Sequence, residues 1–244
     1  MYTPPYFKIQ SQSAILDFIR QNSFGMLISP LGEKPEITHI PFIVSESAGP
    51  GMSEPTNHDF RSFQPAQATE KATENGKPSE SDHTDEKQIQ LLFHVAAANP
   101  NPQPGPAMAI FQGPHAYISP SWYEESNAVP TWNYIAIHVR GELERINDHD
   151  MMQRLMDSTV SEFEQGSSPW SIDWSNTYMN RMLDGVRCFR LNVQSLEGKA
   201  KLSQNHSVQR QKKVIARLES GSEMDREIAR LMKAELEKKS ESMD

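Results

Sequence analysis

Apolar side chains recur along this chain with two different periods. Near the start, Ile15, Phe18 and Ile19 fall three to four apart, the spacing of one helical face, with Ser11 or Ser13 placed to cap it. Phe24 to Ser29 predicts a short buried strand, Pro30 and Gly32 a turn, and Glu36 to Val44 a second strand. Strand signals resume at Ile89 to Val95. The four prolines between Asn99 and Pro106 predict an irregular turn, and Ala107 to Gln112 and His115 to Ser119 predict two strands around Gly113-Pro114. Ile135, Ile137 and Val139 alternate with Ala136, His138 and Arg140, a half-buried strand running to Ile146. Asp148 can cap a helix striped by Met152, Leu155, Met156, Val160 and Phe163, and a second helical pattern from Tyr178 to Asp184 stops at Gly185. Alternation returns from Arg187 to Leu196. From Ser207 the pattern is helical, through Val208, Ile215 and Leu218, and after Gly221 through Ile228, Leu231, Met232 and Leu236. Several short strands with peripheral helices predict a mainly β fold, most simply a barrel with helical additions.

Residues 45–88 interrupt this pattern. They hold almost no large aliphatic side chains, and they carry nine acidic against four basic residues, −5 of the chain's net −8. Such a segment cannot bury enough apolar surface to offset its ordering entropy, so it is expected to be a disordered acidic insert. The remainder is close to neutral, a poor electrostatic match for nucleic acid. Cys188 is the only cysteine, so no intrachain disulfide can form. No stretch reaches the roughly 18 apolar residues of a membrane helix, and the first residues do not resemble a signal peptide. The expectation is a cytoplasmic protein without membrane association.

Two segments concentrate polar and aromatic chemistry. In Thr131-Trp132-Asn133-Tyr134, the rings offer flat apolar surface and Thr131 and Asn133 offer hydrogen bonds. That combination suits a planar cofactor, and it equally suits a strand start packed by aromatics. In the second, Lys199, Lys201, Ser203, Gln204 and Asn205 gather two cations and three neutral polar groups ahead of a helix. They suit a phosphate, or Asn205 or Ser207 simply caps that helix. Eight histidines show no zinc spacing, and no nucleophile elbow, P-loop or dinucleotide fingerprint occurs, so no catalytic or metal-ligating set is assigned. Cys188 sits in an alternating strand and reads as a small core residue. The basic stretch from Lys199 to Arg217 reads as a solvated helix face before a DNA contact.

Ala109 to Tyr123 (AIFQGPHAYISPSWY), Val129 to Tyr134 (VPTWNY) with His138 and Gly141, Leu196 to Asn205 (LEGKAKLSQN), and the short runs Thr38 to Pro41 and His94 to Pro100 together resemble the PaiB family. Its members are described as FMN-binding split-barrel proteins and transcriptional regulators. The resemblance runs from about residue 1 to 220, outside the insert, which leaves 221–244 as a C-terminal helical tail. It implies an FMN-binding split β-barrel, a homodimer, and a flavin nucleotide held by Thr131, Trp132, Asn133, Tyr134, Lys199, Lys201, Ser203, Gln204, Asn205 and His94. The family pattern has glycine where Phe93 stands and arginine where Ala97 stands. An arginine fork binds two phosphate oxygens, so with Ala97 the charge falls to Lys199 or Lys201. Two alternatives stay open: a flavin-dependent oxidoreductase on the same fold, and a cofactor-free barrel acting through protein contacts. Haem through His39, His94, His115 or His138 is a remoter option than hydrogen-bonded structural histidines.

Overall fold

A computed structural model describes residues 1–30, 34–47 and 88–241. The body of the acidic insert lies outside the described residues. Its flanks are strands: Ser47 and Gln88 face each other as a cross-strand pair. The described chain divides into two compact units, one of residues 1–15, 110–138 and 196–244, the other of residues 16–109 and 139–195.

Seven strands form one sheet: β1 Phe24–Ser29, β2 Glu36–Pro41, β3 Ile43–Ser47, β4 Gln88–Ala96, β5 Gly105–Ile118, β6 Thr131–Ile146 and β7 Val186–Lys201. Their order is β2-β1-β5-β6-β7-β4-β3, and the β1–β2, β3–β4 and β4–β7 pairs are antiparallel. In the second unit β2, at one edge, also meets β4, next to the opposite edge, so the sheet curls back on itself. Phe93 stacks on Phe189 at 5.4 Å and receives Phe42 edge-on at 5.2 Å. Helix α1, Gln12–Gln21, precedes β1, and a short helix α3, Thr177–Leu183, precedes β7; between them α2, His149–Phe163, closes a cluster of Leu92, Ile146, Leu155 and Cys188. Asp148 caps it by accepting the Met151 N–H at 2.9 Å, as its position ahead of the apolar stripe predicts. Burial pushes the Cys188 thiol up to about 11, which fits a core residue and not a nucleophile.

Three boundaries differ from the sequence reading, each for a local reason. Glu36 to Val44 is two strands at opposite edges, because Pro41 offers no N–H to continue a ladder and the buried Phe42 drops into the core. The two strands around Gly113-Pro114 are one, since the six residues of β1 cover less than half of the fourteen in β5 and leave room for a residue without an N–H. The strand expected to end at Leu196 runs to Lys201. The N-terminal segment extends it, through Ile9 N–H to the Gly198 carbonyl at 3.0 Å and a bridge between Lys8 and Lys199. A Cβ on Gly198 would stand 2.9 Å from the Ile9 Cβ, so this close approach requires glycine.

The first unit ends in two helices, α4 Val208–Leu218 and α5 Glu223–Glu241, which pack on each other. Ser207 caps α4 through the Arg210 N–H. Val214, Ile215 and Leu218 of α4 and Ile228, Leu231 and Met232 of α5 are buried. No helix among the described residues is long and apolar enough to cross a membrane.

Candidate functional site

Nine of the ten expected site residues lie in the first unit, at the start of β6, the end of β7 and the turn that leads to α4. The burial alternation that carries Ile135, Ile137 and Val139 inward extends backwards to Asn133, which is fully buried, while Trp132 points out and is half exposed. A buried amide needs partners. Asn133 Nδ2 donates to Ser203 Oγ at 3.0 Å and to Met232 Sδ at 3.4 Å, and Ser203 Oγ donates to Asn133 Oδ1 at 3.2 Å. Ser203 is itself buried and left-handed, at φ +64°, a conformation that costs a non-glycine residue free energy and must be held by its surroundings. Gln204 holds the same turn: its Oε1 accepts the Leu202 N–H and its Nε2 donates to the Ala200 carbonyl, both at 2.7 Å. Asn205 is exposed on the turn and Ser207, not Asn205, caps α4.

The two lysines occupy alternate positions of β7. Lys201 Nζ donates to Thr131 Oγ1 on β6. Lys199 Nζ donates to the Tyr2 carbonyl at 3.2 Å and sits 5.2 Å from the centre of the Tyr134 ring. Among the described residues neither lysine makes a salt bridge. Burial, with the Lys199 charge adding to it and Tyr134 opposing it, holds the Lys201 ammonium below the ordinary lysine range. Two ammonium groups without carboxylate partners favour an anion.

Beside them lies an exposed aromatic surface. The Trp132 ring meets Tyr117 edge-on at 5.7 Å and His115 at 6.1 Å, and His115 Nδ1 is buried without a hydrogen-bond partner. Below the turn, Tyr123 packs against His206 at 5.4 Å and beneath the Arg210 guanidinium at 5.1 Å, while Arg210 pairs with Glu125. Burial, then Arg210 and Lys201, lower the His206 imidazole. The site therefore offers cations, an aromatic face and an unsatisfied ring nitrogen in one unit, the donor set that a phosphate-bearing planar cofactor needs. His94 belongs to the other unit, on β4 opposite Cys188, where burial lowers its imidazole. Tyr117, Tyr123, His206 and Met232 were not among the expected site residues. Tyr117 alone had a visible signal, an aromatic alternating on a strand next to His115.

Residues 1–195 match a family model described as "Putative FMN-binding domain". Protease synthase and sporulation protein PAI 2 of Bacillus subtilis (strain 168) is 28% identical over 244 residues, spanning 98% of this chain and 99% of the relative. An uncharacterized protein of Aspergillus fumigatus is 23% identical, spanning 88% of this chain and 90% of its own length. Among solved structures, the FAD and heme binding protein from Mycobacterium smegmatis aligns over 80% of this chain and 73% of its own, at 11% identity and a TM-score of 0.49.

Proposed function

This chain belongs to the PaiB-like family of FMN-binding split-barrel domains, and from that premise we propose that its flavin is FMN, held by the residues gathered at the ends of β6 and β7. The observation that carries the reading is the lysine pair. Lys199 and Lys201 stand on one strand with a backbone carbonyl, a hydroxyl and an aromatic ring for company, and with no salt bridge among the described residues. A phosphate monoester supplies the missing negative charge. In this reading Lys201 and Lys199 hold the phosphate, Thr131, Trp132 and Tyr134 flank the ring, and the buried Ser203, bonded to Asn133, fixes the turn between them. Asn133 and Gln204 act one layer back, by fixing the strand start and the turn. When bound, the flavin supplies one- or two-electron redox chemistry; the protein supplies position and charge.

The test is a titration of FMN and riboflavin followed by flavin fluorescence. One charge-assisted contact is worth roughly 1.5–3 kcal/mol, so FMN should bind about ten- to a hundredfold tighter than riboflavin, and Lys201→Met should erase most of that margin. Equal affinities for FMN and riboflavin refute a phosphate site at these lysines. We further propose a cytoplasmic homodimer, carried over from the family resemblance, for which sedimentation at micromolar concentration is the measurement; a monomer at every concentration ends that proposal. The regulatory role rests on the same resemblance, and a supershift assay with the chain's own upstream DNA would test for direct contact.

A further inference from the structure

Three lysines of the described residues are paired with carboxylates. Lys213 meets Glu124 and Lys238 meets Glu235, each at 2.9 Å, and Lys233 meets Glu219. Lys201 is placed differently. Its Nζ donates to the Thr131 hydroxyl, and it makes no salt bridge among the described residues. It is half-buried on β7, two residues from Lys199, whose Nζ donates to the Tyr2 carbonyl at 3.2 Å and lies 5.2 Å from the centre of the Tyr134 ring. Side chains two apart on a strand share a face, so two positive charges stand side by side among neutral groups.

That placement changes what the amine can do. A carboxylate partner holds a lysine protonated, whereas burial and a neighbouring cation favour the neutral form. At Lys201 burial, with the Lys199 charge beside it, lowers the ammonium against the opposing effect of Tyr134. More of the side chain is then the free amine, the form with a lone pair to give to an electrophilic carbon. The bond to Thr131 engages one N–H and leaves that lone pair available. The same two cations raise the local concentration of anions. A reagent that is both an anion and an acyl donor therefore meets both properties of the site.

We propose that Lys201 is a modification site whose amine is acylated by an acyl phosphate drawn in by the paired charges of Lys199 and Lys201. The amine nitrogen attacks the carbonyl carbon, and the bond from that carbon to the phosphate oxygen breaks. Inorganic phosphate leaves, and the displaced N–H proton passes to solvent. No oxidant or reductant is involved. The product is a neutral amide, so the lysine pair keeps one charge in place of two. Acylation thereby turns down the anion site. That the anion turned away is FMN rests on the proposed function; the acylation itself does not.

The experiment treats the full chain with acetyl phosphate and follows acetylation at each lysine by mass spectrometry. The exposed Lys212 on α4 is the internal reference. A cationic pocket concentrates an anionic reagent about tenfold or more, so Lys201 should react about ten times faster than Lys212, and the ratio should shrink as salt is added. Inorganic phosphate should slow Lys201 and spare Lys212, a measurement that needs no variant. Lys199→Met should bring the Lys201 rate down towards that of Lys212. A Lys201 rate no greater than that of Lys212, or one that phosphate leaves unchanged, overturns the proposal. The acetylated protein is then titrated with FMN and riboflavin, and FMN should lose its margin over riboflavin. Selective acetylation that leaves the margin intact refutes the flavin-phosphate reading while the modification site stands. A margin present in the unmodified protein without selective acetylation refutes the modification site while the flavin-phosphate reading stands.

Discussion

Replacing Asn133 by alanine tests the buried polar node directly. Asn133 is fully buried, exchanges hydrogen bonds with Ser203 and donates to the Met232 sulfur. The alanine variant leaves the buried Ser203 hydroxyl without its amide, at about 1–3 kcal/mol, and opens a small cavity worth one more methyl-sized loss, roughly 1 kcal/mol. The expected cost is therefore about 2–4 kcal/mol, which at this chain length corresponds to a fall in Tm of roughly 5–15 °C. Ser203→Ala removes the other partner and should cost less, about 1–2 kcal/mol, because the amide keeps the Met232 sulfur as an acceptor. The decisive measurement is the double variant. Once both partners are gone no buried group is left unpaired, so the double should be less destabilised than the sum of the singles by about 0.5–1.5 kcal/mol. Urea unfolding of the four proteins, with Asn205→Ala as an exposed control expected within about 0.5 kcal/mol of the parent, gives the cycle. Strict additivity, or an Asn133→Ala protein as stable as the control, would refute the argument that this pair holds the left-handed turn at Ser203.

Two further outcomes follow from the geometry. Ser47 and Gln88 already face each other across β3 and β4, so replacing residues 48–87 with a two- to five-residue Asn-Gly-type turn should preserve cooperative unfolding. The shorter closure should move stability by no more than about 2 kcal/mol, and loss of the thermal transition would show that the replaced residues are needed for folding. Burial lowers the imidazoles of His94 and His206 in the folded protein, with Arg210 and Lys201 adding to the second. The unfolded chain, with ordinary histidines near about 6.5, then binds more protons in the window just below that pH. Stability should be flat from pH 8 to 7 and fall as the pH drops below about 6.5, before the range where carboxylates titrate. A His94→Gln, His206→Gln protein should lose much of that slope, and a slope of the opposite sign in the parent contradicts the assignment.

Period alone determined much of this chain. The two-residue alternation from Ile135 to Ile146 and from Arg187 onward, the stripe of α2 behind its Asp148 cap and the break at Gly221 are local signals, and each became the element it predicts. They are readable because burial of one face imposes its period on neighbours in the chain. The family could be read for a related reason: Trp, Pro, Gly and Asn at fixed offsets have few local substitutes. What tertiary structure alone decided are contacts between segments far apart in sequence. That Glu36 to Val44 serves two opposite edges depends on where the sheet needs strands. That β7 continues to Lys201 depends on Ile9 pairing with Gly198, nearly the whole chain away. Asn133 looked like a cofactor donor beside Trp132, and its burial against Ser203 and Met232 follows from α5 packing beneath it, which no window around residue 133 contains. His94 was grouped with the flavin-holding residues by resemblance. Only the register of β4 against β7 sets it opposite Cys188 in the second unit, because pairing between strands separated by about ninety residues is set by the whole sheet and leaves no trace in local composition.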